Sequence, residues 1–179
     1  MDSQTIIDFW FKEIDRALWF KKDLEFDEMI RDRFIELYNS AKANELFDWR
    51  SSALGRLAEI IILDQFSRNL FRDSAEAFSH DDLALCLAQE AVSQKLDADL
   101  NLSEKCFLYM PFMHSESLII HEQAVKLFST EGLEDNLRFE LKHKAIIEKF
   151  GRYPHRNEVL GRQSTKEEID FLKLPGSSF

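Results

Sequence analysis

The stretch SALGRLAEIIILDQF (residues 52–66) decides the fold class, because it is apolar on nearly every side of a helix. A serine at position 51 or 52 is a suitable N-cap, and Leu57, Ile61 and Phe66 follow at helical spacing. A helix that is apolar all round belongs in the interior of a domain. We therefore predict that this segment is the central buried helix of the protein.

Amphipathic segments on both sides of this stretch complete a helical pattern, since their apolar residues recur every three or four positions. The predicted N-caps are Asp23, Ser79, Ser103, Ser115 and Ser164, the last of which forms a capping box with Glu167. The predicted helix ends lie near Asn44, Pro111, Gly132 and Gly151. For the helix over residues 133–150, the predicted inner face is Leu137, Leu141, Ala145 and Ile146.

The composition agrees with a helical fold. Only 5 Gly and 3 Pro occur among 179 residues, and β-branched residues are too few for a large sheet. The segments AQEAV (residues 88–92) and HEQAV (residues 121–125) are spaced close to a tetratricopeptide period. We predict one all-α domain over residues 1–179, built from about eight helices in stacked antiparallel hairpins, with a short flexible tail.

The charge of the chain limits its partners. With 23 basic and 33 acidic side chains the net charge is −10, which disfavours nucleic acid and anionic membranes as partners. Residues 138–162 are nevertheless basic, so they either pair with acidic helices or form a site for a small anion. No signal peptide or membrane-spanning run is visible, and Cys86 and Cys106 lack CxxC spacing, so we expect a cytoplasmic location.

Two polar clusters follow apolar helical segments. Asp64 and Arg68 are one turn apart, as are Gln65 and Asn69, so they either form a buried ion pair or line a cleft. The second cluster is MHSE (residues 113–116), which is followed seven positions after its histidine by another, His121. His114 and Glu116 are candidate acid–base residues. No HExxH or HxxEH spacing is present, so we expect no metal site.

The third cluster is the loop RYPHRN (residues 152–157), with Arg162 just beyond it. Arginine side chains bind carboxylate or phosphate groups, but they also cap the C-termini of helices. His155 is a third candidate catalytic residue, and His143 on the preceding helix is placed to point towards the loop or into the core. The candidate ligand-binding residues are Asp64, Arg68, Asn69, His143, Arg152, Arg156, Asn157 and Arg162. No GxSxG, GxGxxG or GxxxxGK[ST] motif occurs, so no cofactor is expected.

These three clusters carry a resemblance to a known family. The segments LDQFSRN, YMPFMHSE and FGRYPHRNEVLGRQST, with DFWF near the start, resemble the domain of unknown function 924 family from about residue 6 to residue 172. The resemblance implies an all-helical, tetratricopeptide-like fold and no established activity. The chain departs from the family pattern at Ser67, where proline is common. The matching residues are Asp64, Gln65, Arg68, Asn69, His114, Ser115, Glu116, Phe150, Gly151, Arg152, Pro154, His155, Arg156, Asn157, Gly161 and Arg162.

Three functional hypotheses follow. In the first, stacked hairpins bind a peptide, a protein or a small anionic ligand in a groove lined by LDQFSRN, MHSE and RYPHRN. In the second, the chain is an enzyme for a small anionic substrate, with His and Glu as acid–base residues and Arg side chains as anchors. In the third, the clusters only stabilise the fold as a buried polar network.

Overall fold

The computed structural model describes residues 1–177, which contain helical segments and no strand. This confirms the all-α prediction. The α-helices are α1 Ser3–Asp8, α2 Leu24–Lys42, α3 Ala53–Ile61, α4 Ser67–Leu70, α5 Asp81–Ser93, α6 Leu102–Met113, α7 Leu118–Phe128, α8 Glu134–Phe150 and α9 Lys166–Leu172. A π-helical segment, Ile62–Phe66, joins α3 to α4 without a break. Counted as one run, these two helices bring the number within residues 1–177 to the predicted eight.

The predicted central helix is confirmed. Ser52 caps α3, and its side-chain oxygen accepts a hydrogen bond from the Gly55 N–H. Every residue from Gly55 to Ser67 is buried. Gly55 is required at the start of this helix, because an added Cβ would lie 2.0 Å from the carbonyl oxygen of Trp49.

Contact density divides the chain into two compact units. Unit 1 comprises Met1–Arg72 and Glu76–Pro111, and unit 2 comprises Asp73–Ala75 and the chain from Phe112 onwards. The core of unit 1 is aromatic: the Phe34 ring centroid lies 4.7 Å from that of Phe9 and 5.2 Å from that of Phe66. In unit 2, Ile146, Ile147 and Tyr153 form a core cluster. The single domain stays a prediction.

Several predicted helix boundaries are wrong by one to three residues. α5 begins after His80, and the Ser79 hydroxyl donates to the Glu76 carbonyl instead of capping a helix. α6 is preceded by Asn101, which exchanges side chain–backbone hydrogen bonds with Glu104, as a capping pair does. α7 follows Ser117, not Ser115. The capping box of α9 consists of Thr165 and Glu168, one position beyond the predicted pair.

Two predicted helix ends are also wrong. α6 continues through Pro111 to Met113, because residues 106–113 are all buried and their packing outweighs the lost backbone hydrogen bond. α7 ends at Phe128, so Gly132 lies in the following turn. The ends at Asn44 and Gly151 are confirmed, since both adopt positive φ directly after their helices.

The inner face of α8 differs from the prediction. Leu141 is 49% exposed and Ala145 is also exposed, whereas the buried positions are Glu140, His143, Ile146 and Ile147. Polar side chains therefore occupy half of the buried face. An inference that expects only apolar residues to be buried misses such a face, because it depends on polar partners from elsewhere in the fold.

No helix among residues 1–177 has both the length and the apolar character needed to cross a membrane.

Candidate functional site

Tyr153 is the centre of the polar residues in unit 2. It follows Gly151, the residue with φ of 68° that ends α8, and precedes a single 3-10 turn, Pro154–Arg156. The side chain is fully buried, and its hydroxyl donates a hydrogen bond of 2.6 Å to the carbonyl oxygen of Met113. This bond fixes the tyrosine ring against the start of the MHSE segment.

Three histidines and one arginine surround the Tyr153 ring. The ring centroids of His121, His143 and His155 lie 6.2, 5.8 and 5.5 Å from the centroid of Tyr153. The Arg156 guanidinium lies over the ring, 4.8 Å from the centroid. We call these five residues, together with His114, the Tyr153 cluster.

His143 shows that His114 belongs to this cluster. Burial is the main cause that lowers the pKa of His143 to about 3, and repulsion from His114, His121 and His155 adds to it. The Nδ1 atom of His143 donates to the Phe139 carbonyl, 2.8 Å away, because a carbonyl oxygen can only accept. His143 is therefore a neutral imidazole at pH 7, with its lone pair on Nε2.

Glu116 and Arg162 form a two-pronged ion pair. The Arg162 Nη1 and Nη2 atoms lie 2.6 and 2.9 Å from the two carboxylate oxygens of Glu116, which also accept the Tyr153 N–H at 2.7 Å. Burial raises the pKa of Glu116, but the hydrogen bonds from Arg162 and the Tyr153 N–H outweigh it, so the net shift is downwards. Glu116 is thus a carboxylate that holds the loop, with no proton to donate near neutral pH.

Arg152 and Asn157 also bind partners within unit 2. Arg152 donates to both oxygens of Glu168, at 2.7 and 2.9 Å, and this ion pair lowers the pKa of Glu168 to about 2. The Asn157 side chain accepts from Arg162 Nε at 2.9 Å and donates to Ser164 Oγ at 3.0 Å. Both residues fix the loop between α8 and α9.

Internal pairing accounts for most of the basic block. Arg138, Lys144, Lys149, Arg152 and Arg162 each pair with a carboxylate, from Asp135, Glu148, Glu167, Glu168 and Glu116 respectively. The alternative of intramolecular pairing is therefore confirmed for these five side chains. Arg156 differs from them in lying over an aromatic ring.

The first polar cluster lies in unit 1, where it joins helices. Arg68 donates to both carboxylate oxygens of Asp81, each 3.0 Å away, and lies 3.3 Å from Asp64 Oδ1. Asn69 donates to Asp27, which also accepts two hydrogen bonds of 2.7 Å from Arg72. Among the predicted ligand-binding residues, Asp64, Arg68 and Asn69 thus belong to a different unit from the other five.

The structure adds three residues to those singled out from the sequence. Tyr153 stands within the RYPHRN motif, but an aromatic side chain carries no sequence signal that distinguishes a site from a core. His121 shares its α7 face with no second candidate ligand, because α7 begins beyond His114. Glu140 is fully buried on α8, and only its three-dimensional partner, His121, distinguishes it from exposed glutamates.

Residues 1–177 contain no group of three or more His, Cys, Asp and Glu side chains arranged to hold a metal ion.

Comparison with known proteins places the chain in a family. Residues 6–176 match the model described as "Bacterial protein of unknown function (DUF924)". The chain belongs to this family. A DUF924-type fold is also seen in a solved structure, that of the protein of unknown function ATU0120 from Agrobacterium tumefaciens. The two chains are 37% identical with a TM-score of 0.91, over 96% of each. No curated protein matches the chain.

Proposed function

We propose that this protein binds a small anionic ligand, a phosphate or a carboxylate, at the Tyr153 cluster of unit 2. His114, His155 and Arg156 are the residues we assign to the ligand, and Tyr153 is the surface on which they are arranged. The observation that carries the proposal is the gathering of Arg156 and four histidines around one buried tyrosine.

Electrostatics supports an anion as the ligand. Like-charged or potentially like-charged groups that share a small volume repel one another, as the lowered pKa of His143 reflects. An anion among them would offset this repulsion. Arginine and histidine are the side chains that bind phosphate and carboxylate through charge-assisted hydrogen bonds.

The remaining candidate residues have supporting roles in this proposal. Arg152, Asn157 and Arg162 hold the loop through Glu168, Ser164 and Glu116, and we assign them no ligand. His143 stays neutral, so it is suited to accept a hydrogen bond and not to attract charge. Asp64, Arg68 and Asn69 join helices of unit 1 and are left out of the site.

The enzyme hypothesis has less support from the geometry. A general acid needs a proton near neutral pH, and the lowered pKa of Glu116 keeps this carboxyl group ionised. The other hypothesis, a groove for a peptide or protein on tetratricopeptide-like hairpins, is favoured only by the helical architecture and by the close packing of α7 against α8. Binding of a small anion is therefore the function we propose.

Calorimetric titration tests the proposal. Inorganic phosphate and succinate are titrated into the wild-type protein, Arg156→Gln and Lys149→Gln at the same pH. Lys149 is the matched control, since it is a basic residue of the same unit with a side chain that is 51% exposed. Loss of one charge-assisted interaction, worth about 1.5–3 kcal/mol, weakens binding about tenfold or more.

We expect at least one of the two probes to bind the wild-type protein and Lys149→Gln equally, and Arg156→Gln at least about tenfold more weakly. Circular dichroism of Arg156→Gln verifies that the variant is folded. If neither anion binds the wild type, or if Arg156→Gln binds as tightly as the wild type, the proposal is wrong.

A further inference from the structure

A fully buried histidine–glutamate pair joins α7 to α8. The Nδ1 atom of His121 lies 2.7 Å from Oε1 of Glu140, and both side chains have no exposed area. Two ionisable groups in such a place are costly unless their protons are arranged to suit each other. The hydrogen bonds around them determine that arrangement.

The proton on Nε2 of His121 is fixed by its neighbours. Nε2 lies 2.8 Å from the carbonyl oxygen of Ser115, which can only accept, so Nε2 must donate. The second neighbour, the Tyr153 hydroxyl at 3.2 Å, uses its own hydrogen for the Met113 carbonyl. Neither neighbour can therefore supply a hydrogen to a lone pair on Nε2.

The contact between Nδ1 and Oε1 then needs one further proton. With Nε2 protonated, a neutral His121 has its lone pair on Nδ1, and a lone pair facing a carboxylate oxygen at 2.7 Å is repulsive. A hydrogen bond forms only if a proton lies between them, on either the glutamic acid or an imidazolium ring. We infer that His121 and Glu140 hold one shared proton in the folded protein and lose it only together with the α7–α8 packing.

The second carboxyl oxygen of Glu140 favours the neutral form of the pair. Oε2 is buried and accepts no hydrogen bond from residues 1–177. A carbonyl oxygen of a glutamic acid tolerates this better than a carboxylate oxygen does. Burial raises the pKa of Glu140 for the same reason, against opposing effects from His121 and Lys144.

The charged surroundings of the pair are few. Lys144 on α8 acts on Glu140, but its ammonium group donates to Glu148 at 2.6 Å. His143 on α8 is neutral, and the segments before α7 and after α8 contribute the Ser115 carbonyl and the Tyr153 hydroxyl. No second base in this set competes for the shared proton.

A shared proton makes the stability of the helix pair fall at alkaline pH. In the unfolded chain, histidine releases its proton near pH 6.5 and glutamate near 4.3, both about the ordinary values. Above pH 6.5 the folded pair therefore holds one proton more than the unfolded chain. Stability decreases with rising pH wherever the folded state binds more protons.

The expected effect is about a tenfold rise in the unfolding equilibrium constant per pH unit from this pair alone. Glu140→Gln removes it, because the glutamine amide donates to Nδ1 and leaves His121 neutral without an added proton. The comparison uses urea unfolding of the wild type, Glu140→Gln and the control Glu134→Gln between pH 6.5 and 8.5. Glu134 is an exposed glutamate of the same helix whose pKa is lowered, so it does not titrate in this range.

The ratio of the wild-type to the Glu140→Gln unfolding constant should rise about tenfold per pH unit, while the ratio to Glu134→Gln stays constant. A constant ratio for both variants contradicts the inference. Histidine ¹⁵N spectra of the wild type add a measurement that needs no variant. Nε2 of His121 should remain protonated from pH 6 to 8, and a lone-pair signal on Nε2 with a proton on Nδ1 would overturn the shared proton. Neither measurement depends on whether an anion binds.

Discussion

Arginine side chains of unit 2 have two kinds of surroundings. Arg152 and Arg162 each donate to both oxygens of one carboxylate, and these carboxylates are held in turn by backbone N–H groups of Thr165 and Tyr153. Arg156 lies on the face of Tyr153 beside His155. The sequence motif alone cannot separate these roles, because the partner carboxylates Glu116 and Glu168 lie many positions away along the chain. Folding decides which arginine of the motif is structural.

His143 gives a prediction at the scale of one residue. Its pKa of about 3 lies below the ordinary histidine value, so between these two pH values the unfolded chain binds a proton that the folded protein does not. The free energy of unfolding should therefore fall as the pH is lowered below about 6.5, by about 1.4 kcal/mol per pH unit from this residue. His143→Asn keeps a donor for Phe139 but cannot titrate. Urea unfolding from pH 7 to 5 should show a shallower decline for this variant, and parallel curves would contradict the assignment.

At the scale of an element, helix interiors could be predicted from sequence, but helix ends could not. The apolar run of residues 54–63 identifies α3 because every face is buried. The ends depend on which of several neighbouring polar residues makes the capping bond. Ser164 and Thr165 are equally plausible by type, and the side chain of Glu168, which also pairs with Arg152, selects Thr165. Likewise, the buried face of α8 could not be found from hydropathy, because Glu140 and His143 need partners from other segments.

The N-terminus of α9 gives a prediction at this scale. Glu168 closes the capping box and binds Arg152, and its side chain is 2% exposed. Glu168→Ala should lower the free energy of unfolding by about 3 kcal/mol, because it removes a cap and leaves Arg152 without its carboxylate. Urea unfolding at pH 7 measures the change. Glu167→Ala is the matched control: its side chain is 68% exposed, so the expected loss is below about 0.5 kcal/mol. Equal losses for the two variants would contradict this role of Glu168.

For the whole molecule, the all-α class could be predicted from composition and periodicity, since both reflect averages over many residues. The three polar clusters could be identified as important positions, but their grouping could not. Asp64 and Arg68 belong to unit 1, whereas His114, Glu116, His155 and Arg156 belong to unit 2. Contacts between distant segments determine such grouping, and the spacing of residues along the chain contains no record of them.

Thermal unfolding gives a prediction at the scale of the molecule. A chain of 179 residues lies within the size range of single domains, so we expect one cooperative transition. Differential scanning calorimetry should give a calorimetric enthalpy equal to the van't Hoff enthalpy. Two resolved transitions would instead mean that unit 1 and unit 2 unfold separately, and the single-domain prediction would be wrong.

The π-helical segment Ile62–Phe66 has a consequence for how the chain tolerates length changes. A π turn holds one residue more than an α turn, so it changes the phase of everything that follows. Deleting one residue there would restore an ordinary α turn and rotate the following side chains by about 100° around the helix axis. Arg68 and Asn69 would then turn away from Asp81 and Asp27. Insertions and deletions are thus far more damaging in these five positions than substitutions that preserve their apolar character.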